Sequence, residues 1–303
     1  HMLHDVAGGE DKWRARPFVS NSNCFVVPPL RFATESCLVM EEAVKAGMPV
    51  LLLSAGQAGA TAPASIAGAV AQAVAEVLAG LVYVNAMVPG YPAILGTWPF
   101  VSDLRTGAMT GGSGEQGLLT SACAQMIRYF DLPGGAASGM ADAKMPDAQS
   151  GYEKGSTAVM AGLSGLNMVY EAAGMHASLL GFCLESLVID NDMLGQCLRC
   201  VRGIEVNEDT VSLEVIKETC LEGPGHYLGS DQTLALMQTE YIYPTLGDRS
   251  SPKEWDELGK PDLVEKAKAR KTEILNAPST AQFGRDIERD IRAAFAIHLP
   301  TSA

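Results

Sequence analysis

The sequence predicts an α/β fold, with βα units winding helices around a parallel sheet. Two observations carry that reading. Apolar runs of strand length alternate with periodic segments of helix length along most of the chain, the order that βα units require. The 303 residues are 47% hydrophobic and 19% charged, enough apolar material for a large core and far from the composition of a disordered chain.

Phe18 to Val27 reads as a first extended run, and Ser36 to Ala46 as the helix after it. Met48 to Ser54 (MPVLLLS) is a buried strand, because its apolar residues run on without alternation. A long helix over Ala62 to Val84 is opened by Thr61 and by Pro63, whose fixed φ suits a first turn. Pro92 to Trp98 is the next strand. Ser113 to Phe130 is a helix whose Ser113 and Gln116 have capping-box spacing. Ala136 to Met140 is a short strand, followed by a helix from Asp147 to Leu163. Leu166 to Ala172 and Ser186 to Gly203 repeat the strand–helix pair. After Val211 the pattern turns polar, and Pro252 to Asn276 is a charged surface helix region. That makes about five strands, whereas a closed (β/α)8 barrel needs eight. The chain reads as a single barrel domain over residues 1–303. A barrel reading implies N-terminal strands that this chain does not supply, and it expects a helical C-terminal region over 232–303. An open doubly wound sheet is the alternative that needs no missing strands.

Lys and Arg number 22 against 35 Asp and Glu, a formal net charge of −13. Such a surface repels phosphate, which argues against nucleic acid as a partner and gives a cationic small molecule a favourable field. No stretch reaches the ~20 uninterrupted apolar residues of a membrane span. The most apolar window, Ala58 to Met87, carries Gln72 and Glu76. Behind His1-Met2, which resembles a cloning scar, the N-terminus is polar and charged, unlike a secretory signal. The seven cysteines, an odd number set mostly in apolar surroundings, read as unpaired thiols of a reducing cytoplasm.

The glycine-rich segments Gly56 to Gly59, Gly111 to Gly114 and Gly134 to Gly139 match neither GxGxxG nor GxxxxGK[ST]. They read as turns at strand ends rather than phosphate loops. Cys197-x-x-Cys200 has zinc-like spacing but no second pair, and its flanks form one helix. The five histidines, at 1, 4, 176, 226 and 298, show no HxxxH spacing. None lies in an Asp-x-His-x-x-Gly segment, the arrangement that supplies an axial ligand to a corrinoid. No metal site is expected, and any cobalamin has to arrive on another protein.

Ligands of parallel barrels sit at the C-terminal ends of the strands. Those ends here carry Asn21 and Asn23, Ser54 with Gln57, Thr97 with Trp98 and Phe100, Asp142, and Glu171 to His176. Taken singly, most are ordinary loop residues. As a group they offer carboxylates and aromatic rings, but no nucleophile with a base and an orienter. Gln149 and Glu153 lie four apart and share one helical face near its N-terminus, although Glu153 and Lys154 read equally well as a solvated pair.

The string from Gly59 to Gly96, GATAPASIAGAVAQAVAEVLAGLVYVNAMVPGYPAILG, resembles the trimethylamine methyltransferase (MttB-like) superfamily. So do PPLRF (Pro28 to Phe32), DLRTG (Asp103 to Gly107) and GSGE (Gly112 to Glu115). DAKMPDAQSGYEK (Asp142 to Lys154), EAAGM (Glu171 to Met175) and GPGHYLG (Gly223 to Gly229) continue the resemblance in order, as do Tyr243-Pro244, Asp248-Arg249, Trp255 and Gly259. It covers nearly the whole chain. The resemblance implies a TIM barrel that moves a methyl group from a methylated amine to cob(I)amide on a separate corrinoid protein, with no cofactor bound by this chain directly. Members of that family are longer at the N-terminus, so the chain resembles their larger C-terminal part. A barrel without its first strands has an open edge, which favours a homo-oligomer.

The family's trimethylamine-specific members carry pyrrolysine, and this sequence has only standard residues. A neutral tertiary amine is a poor methyl donor because its leaving group is an amide anion. A quaternary ammonium already carries the charge and leaves as a neutral amine. For such a donor the protein need only bind, orient and desolvate the cation before in-line attack by Co(I). The resemblance therefore suggests a non-pyrrolysine member acting on a glycine betaine-like substrate. Aromatic faces and carboxylates are the expected lining for a quaternary ammonium, which singles out Trp98, Phe100, Tyr170 and Glu171, with Asp142 and Glu153 as further carboxylates. A substrate carboxylate wants a donor, for which His176 and Asn23 are placed. No catalytic residue is singled out. The competing expectation is a truncated, non-catalytic fragment that binds a quaternary ammonium ligand or serves structurally.

Overall fold

The computed structural model describes residues 1–278 and 284–299. Five strands lie side by side in chain order: β1 (Asn21–Asn23), β2 (Val50–Ser54), β3 (Ala93–Thr97), β4 (Gly134–Ala137) and β5 (Met168–Tyr170). Every pairing is parallel. Helices α1 (Thr34–Lys45), α2 (Ile66–Met87), α3 (Gly114–Tyr129) and α4 (Ala148–Leu163) carry the chain from each strand to the next, and α5 (Leu184–Arg202) follows β5. A doubly wound sheet reverses its strand order at a switch point, and this order runs without reversal, which removes that alternative. The result is a curled half-barrel. Among the described residues the outer edges of β1 and β5 have no strand partner.

Strand parity sorts the side chains. Asn21, Asn23, Val50, Leu52, Ala93 and Leu95 are in register and face the helices, because Val50 and Leu52 pack with Met40 and Val44 of α1 and Val84 of α2. Leu95 meets Val77 of α2 and Ile127 of α3 on the same side. The alternate residues line the concave face, where the Tyr170 ring at the end of β5 meets that of Trp98, just after β3. Close helix–sheet approach has local causes. A Cβ on Gly80 of α2 would come within 2.4 Å of the Phe25 ring, so only glycine fits that crossing.

By length and composition α2 is apolar enough to cross a membrane, contrary to the sequence expectation. One face of it packs on the sheet, where Val77, Gly80 and Val84 are buried, and so is the charged Glu76. The helix also starts later than expected, at Ile66 rather than Ala62. The carbonyl of Gln57 accepts the N–H groups of Ala60, Thr61 and Ala62, which closes a turn, leaves Pro63 outside the helix and makes Ser65 the cap.

Other boundaries shift for similar reasons. The first extended run splits into β1 and a hairpin that pairs Val26–Val27 with Arg31–Phe32. Ser113 caps α3 by accepting from the Gln116 N–H at 3.2 Å, but the reciprocal half of the box is not made, since the Gln116 amide turns inward to the Ala137 carbonyl at 2.9 Å. Phe100 is not a loop residue: it belongs to a short strand, Phe100–Ser102, paired with Gln57–Ala58 and Met109–Thr110 in a small sheet above the strand ends.

Beyond α5 the described residues form helices and turns without a strand, including α6 (Leu263–Asn276), which packs on α5 and is tied to it by Lys271 and Glu185 at 2.6 Å. Residues 279–283 and 300–303 of the expected C-terminal region lie outside the described residues.

Candidate active site

The predicted site residues fall into two neighbouring groups at the C-terminal ends of the strands. The first is aromatic. Trp98 and Tyr170 pack with ring centroids 5.3 Å apart, and Trp98 also joins Phe100, Ala137, Met140, Met175 and Leu179 in one apolar cluster. The Trp98 indole N–H is shielded from water and has no partner among the described residues. Burial pushes the Tyr170 hydroxyl above its ordinary pKa.

The second group is polar and lines a cleft of about 660 Å³. Its walls come from the small sheet, the Asp103–Arg105 turn and the first residues of α2, α3 and α4, with Asp142 and Glu153 facing it. Glu153 holds the loop after β4: its Oε2 accepts the N–H groups of Asp142 at 2.7 Å and Ala143 at 3.2 Å, and Oε1 accepts from Gln149 at 2.7 Å. The Gln149–Glu153 pairing expected from their spacing is present, whereas the solvated Glu153–Lys154 pair is not, because both residues are buried. Asp142 Oδ1 accepts the Gly111 N–H at 2.8 Å and the Ser178 hydroxyl. One carboxylate at the cleft thus joins the loops after β3, β4 and β5.

His176 and Asn23 are placed differently from what a carboxylate donor requires. His176 is 3% exposed. Its Nδ1 donates to the Ala143 carbonyl at 3.1 Å, and Nε2 faces the Ser186 hydroxyl at 2.6 Å and the Lys154 ammonium at 3.4 Å. With both nitrogens engaged, the ring ties the loop after β4 to the first turn of α5, and burial together with the Lys154 charge lowers its pKa. Asn23 points to the helix side, donating to the Ser36 carbonyl at 3.0 Å, because its register places it with Leu52. Glu171 follows β5 with φ 61° and does not line the cleft.

Several residues that matter here escaped sequence reasoning. Lys154 pairs with Asp190 of α5 at 2.6 Å, out of water, and Asp190 also accepts the Gly174 N–H at 2.7 Å. Glu76 accepts from the Leu30 N–H at 2.8 Å, from Gln72 at 3.1 Å and from Ser54. A lone carboxylate inside an apolar helix was the available signal for Glu76. Nothing local marks Ser178, which lies in a run of three left-handed residues, Ala177 to Leu179. No group of three or more His, Cys, Asp or Glu side chains among the described residues has a metal-binding arrangement.

The family model for trimethylamine methyltransferase (MTTB) matches residues 1–298. Over 291 residues the chain is 32% identical to trimethylamine methyltransferase MttB of Methanosarcina barkeri (strain Fusaro / DSM 804), spanning 94% of this chain and 57% of that protein. Over 270 residues it is 34% identical to the glycine betaine methyltransferase of Desulfitobacterium hafniense (strain Y51), spanning 88% of this chain and 55% of that protein. The chain thus covers little more than half the length of either relative. The solved structure of Mycobacterium tuberculosis Rv1207 overlaps 68% of this chain and 77% of its own at a TM-score of 0.37 and 12% identity, too slight a likeness to bear on the fold. With a match across nearly its whole length, the chain belongs to the trimethylamine methyltransferase (MTTB) family.

Proposed function

We propose that the chain forms the substrate-binding part of a TIM-barrel methyltransferase that takes a methyl group from a quaternary amine of the glycine betaine type. The acceptor is Co(I) on a partner corrinoid protein in the cytoplasm. The observation that carries this reading is the aromatic pair Trp98 and Tyr170, rings 5.3 Å apart, beside the loop whose Asp142 carboxylate faces a cleft. Ring faces and a carboxylate attract a cation that has no N–H to donate. The likeness to a relative named glycine betaine methyltransferase supports the substrate class.

The residues present do not suit a resident corrinoid. His176, the histidine beyond β5, has both ring nitrogens engaged and is not poised as an axial ligand, which supports assigning the cofactor to the partner. The corrinoid supplies the Co(I) nucleophile. This chain binds the cation, aims one methyl group outward and keeps water from the amine as it leaves. Mixing the protein with glycine betaine and a reduced corrinoid protein should form methyl-Co(III), seen as a change in the visible spectrum. No transfer from any of a panel of quaternary amines would overturn the reading.

Among the described residues the edges of β1 and β5 are unpaired, which favours a second reading, a chain that binds the amine without turning it over. Calorimetric binding of glycine betaine without methyl transfer selects that reading.

A further inference from the structure

We propose that Arg105 reads the carboxylate of the substrate, so that the cleft selects a zwitterionic quaternary amine over a plain cation. This rests on the amine-binding role proposed above and assigns the end of the substrate which that role leaves unrecognised.

The donors first expected for that end are spent. Asn23 faces α1, and both nitrogens of His176 are taken by protein groups. Lys144 turns its ammonium onto the Asp142 carbonyl at 2.7 Å and does not line the cleft. Among the described residues the cleft is lined by the carboxylates of Asp103, Glu115, Asp142 and Glu153 and by one cationic side chain, Arg105. A site of that composition attracts the ammonium broadly but can hold a carboxylate at one place.

Arg105 is presented by a built turn. Asp103 accepts backbone N–H groups from Arg105 at 2.9 Å and Thr106 at 3.3 Å on its side chain, and its carbonyl accepts from Gly107 at 2.6 Å. Leu104 seats the turn on the loop after β2: a Cβ on Gly59 would come within 2.4 Å of it, and Gly59 has φ +87°. Asp103 also fixes the guanidinium, taking Nε at 3.1 Å and Nη2 at 2.6 Å, and that guanidinium holds the Asp103 carboxyl at a pKa of about 2. A guanidinium carries five N–H donors, so among the described residues Nη1 and the second Nη2 hydrogen are left without a partner. The side chain is 88% exposed, and a planar fork held from one side is suited to a second carboxylate on the other.

Calorimetry with glycine betaine and choline on the wild type, Arg105→Gln and Arg105→Lys tests the assignment. Arg105→Gln should weaken glycine betaine by about tenfold or more, as loss of a charge-assisted hydrogen bond does. It should leave choline within about twofold, and Arg105→Lys should fall between the two. An unchanged thermal midpoint would show that the exposed position was altered without unfolding. A similar loss for both ligands, or wild-type affinity for glycine betaine in Arg105→Gln, overturns the proposal. Trp98→Phe is the competing arm, since it removes the unpartnered indole N–H and keeps a ring. A loss there confined to glycine betaine, with Arg105→Gln unaffected, moves carboxylate recognition to the indole. Equal binding of both ligands by the wild type sinks the role of Arg105 and leaves the amine-binding reading standing. Binding of neither sinks both.

Discussion

Lys154 Nζ lies 2.6 Å from Asp190 Oδ2, with the two side chains only 1% and 6% exposed, so α4 and α5 are joined by an ion pair beneath the loops of the mouth. Removing one partner strands a charge in the interior, which costs about 3–5 kcal/mol. Lys154→Met and Asp190→Asn should each lose stability on that scale in urea unfolding. The double variant Lys154→Met/Asp190→Asn should lose less than either, because no lone charge remains and the amide oxygen still accepts the Gly174 N–H. Single-variant losses under about 1 kcal/mol would show that water reaches the pair.

His176 links stability to pH. Its folded pKa is lowered by burial and by Lys154, with the Ala143 contact, Asp190 and Asp147 acting the other way. Below the unfolded value of about 6.5 the unfolded chain takes up a proton that the native ring resists. Stability is therefore complete above that pH and is lost as pH falls through the folded pKa. Melting temperatures recorded from pH 7.5 downward should show this slope, and His176→Asn, which keeps a donor for the Ala143 carbonyl, should flatten it. An unchanged slope in the variant assigns the effect to other groups.

Gly80→Ala sets two effects against each other. Helix propensity favours alanine by about 1 kcal/mol, but the added methyl meets the Phe25 ring, and overpacking costs about 1–3 kcal/mol. The net change should be destabilising, and Phe25→Leu should reduce it. A more stable Gly80→Ala would mean that the Phe25 ring moves aside freely.

Glu153→Ala leaves the Asp142 and Ala143 N–H groups without their acceptor, at about 1–3 kcal/mol for each buried donor. Glycine betaine binding should weaken along with stability, because Asp142 loses its position. Glu153→Gln, which keeps an acceptor oxygen, should restore most of both. Full affinity in Glu153→Ala would separate Asp142 from the ligand.

Trp98→Leu should weaken glycine betaine and choline alike by about 1–2 kcal/mol, since a ring face attracts the ammonium common to both. An effect on only one of them would point away from cation–π contact.

The order of the five βα units was legible because β2 and the segments around β3 and β5 are apolar runs of strand length between periodic segments, and those patterns survive without tertiary context. What depends on register was not. Asn23 sits at a strand end, as expected, yet parity turns it toward α1, and a three-residue edge strand has too few residues to show its faces. The short strand that holds Phe100 was not legible, because two- and three-residue strands leave no periodicity. His176 was correctly placed beyond β5, but its partners, Ala143 and Ser186, come from separate loops and helices. Among the candidate residues a ring stands out by type, whereas Glu153 or Asp190 acquires its role as a brace only from the backbone N–H groups that face it.

Those braces have a consequence for how the chain tolerates change in length. Gln116 of α3, Glu153 of α4 and Asp190 of α5 each reach from a helix to the backbone at or beyond a strand end, so the angular phase of each helix is locked to the mouth. A residue inserted ahead of any of these side chains turns it by about 100° and swings it off its target, while one inserted after it leaves the brace in place. Insertions of equal size in one helix should therefore divide at the bracing residue, those ahead of it loosening the mouth and those behind it sparing it.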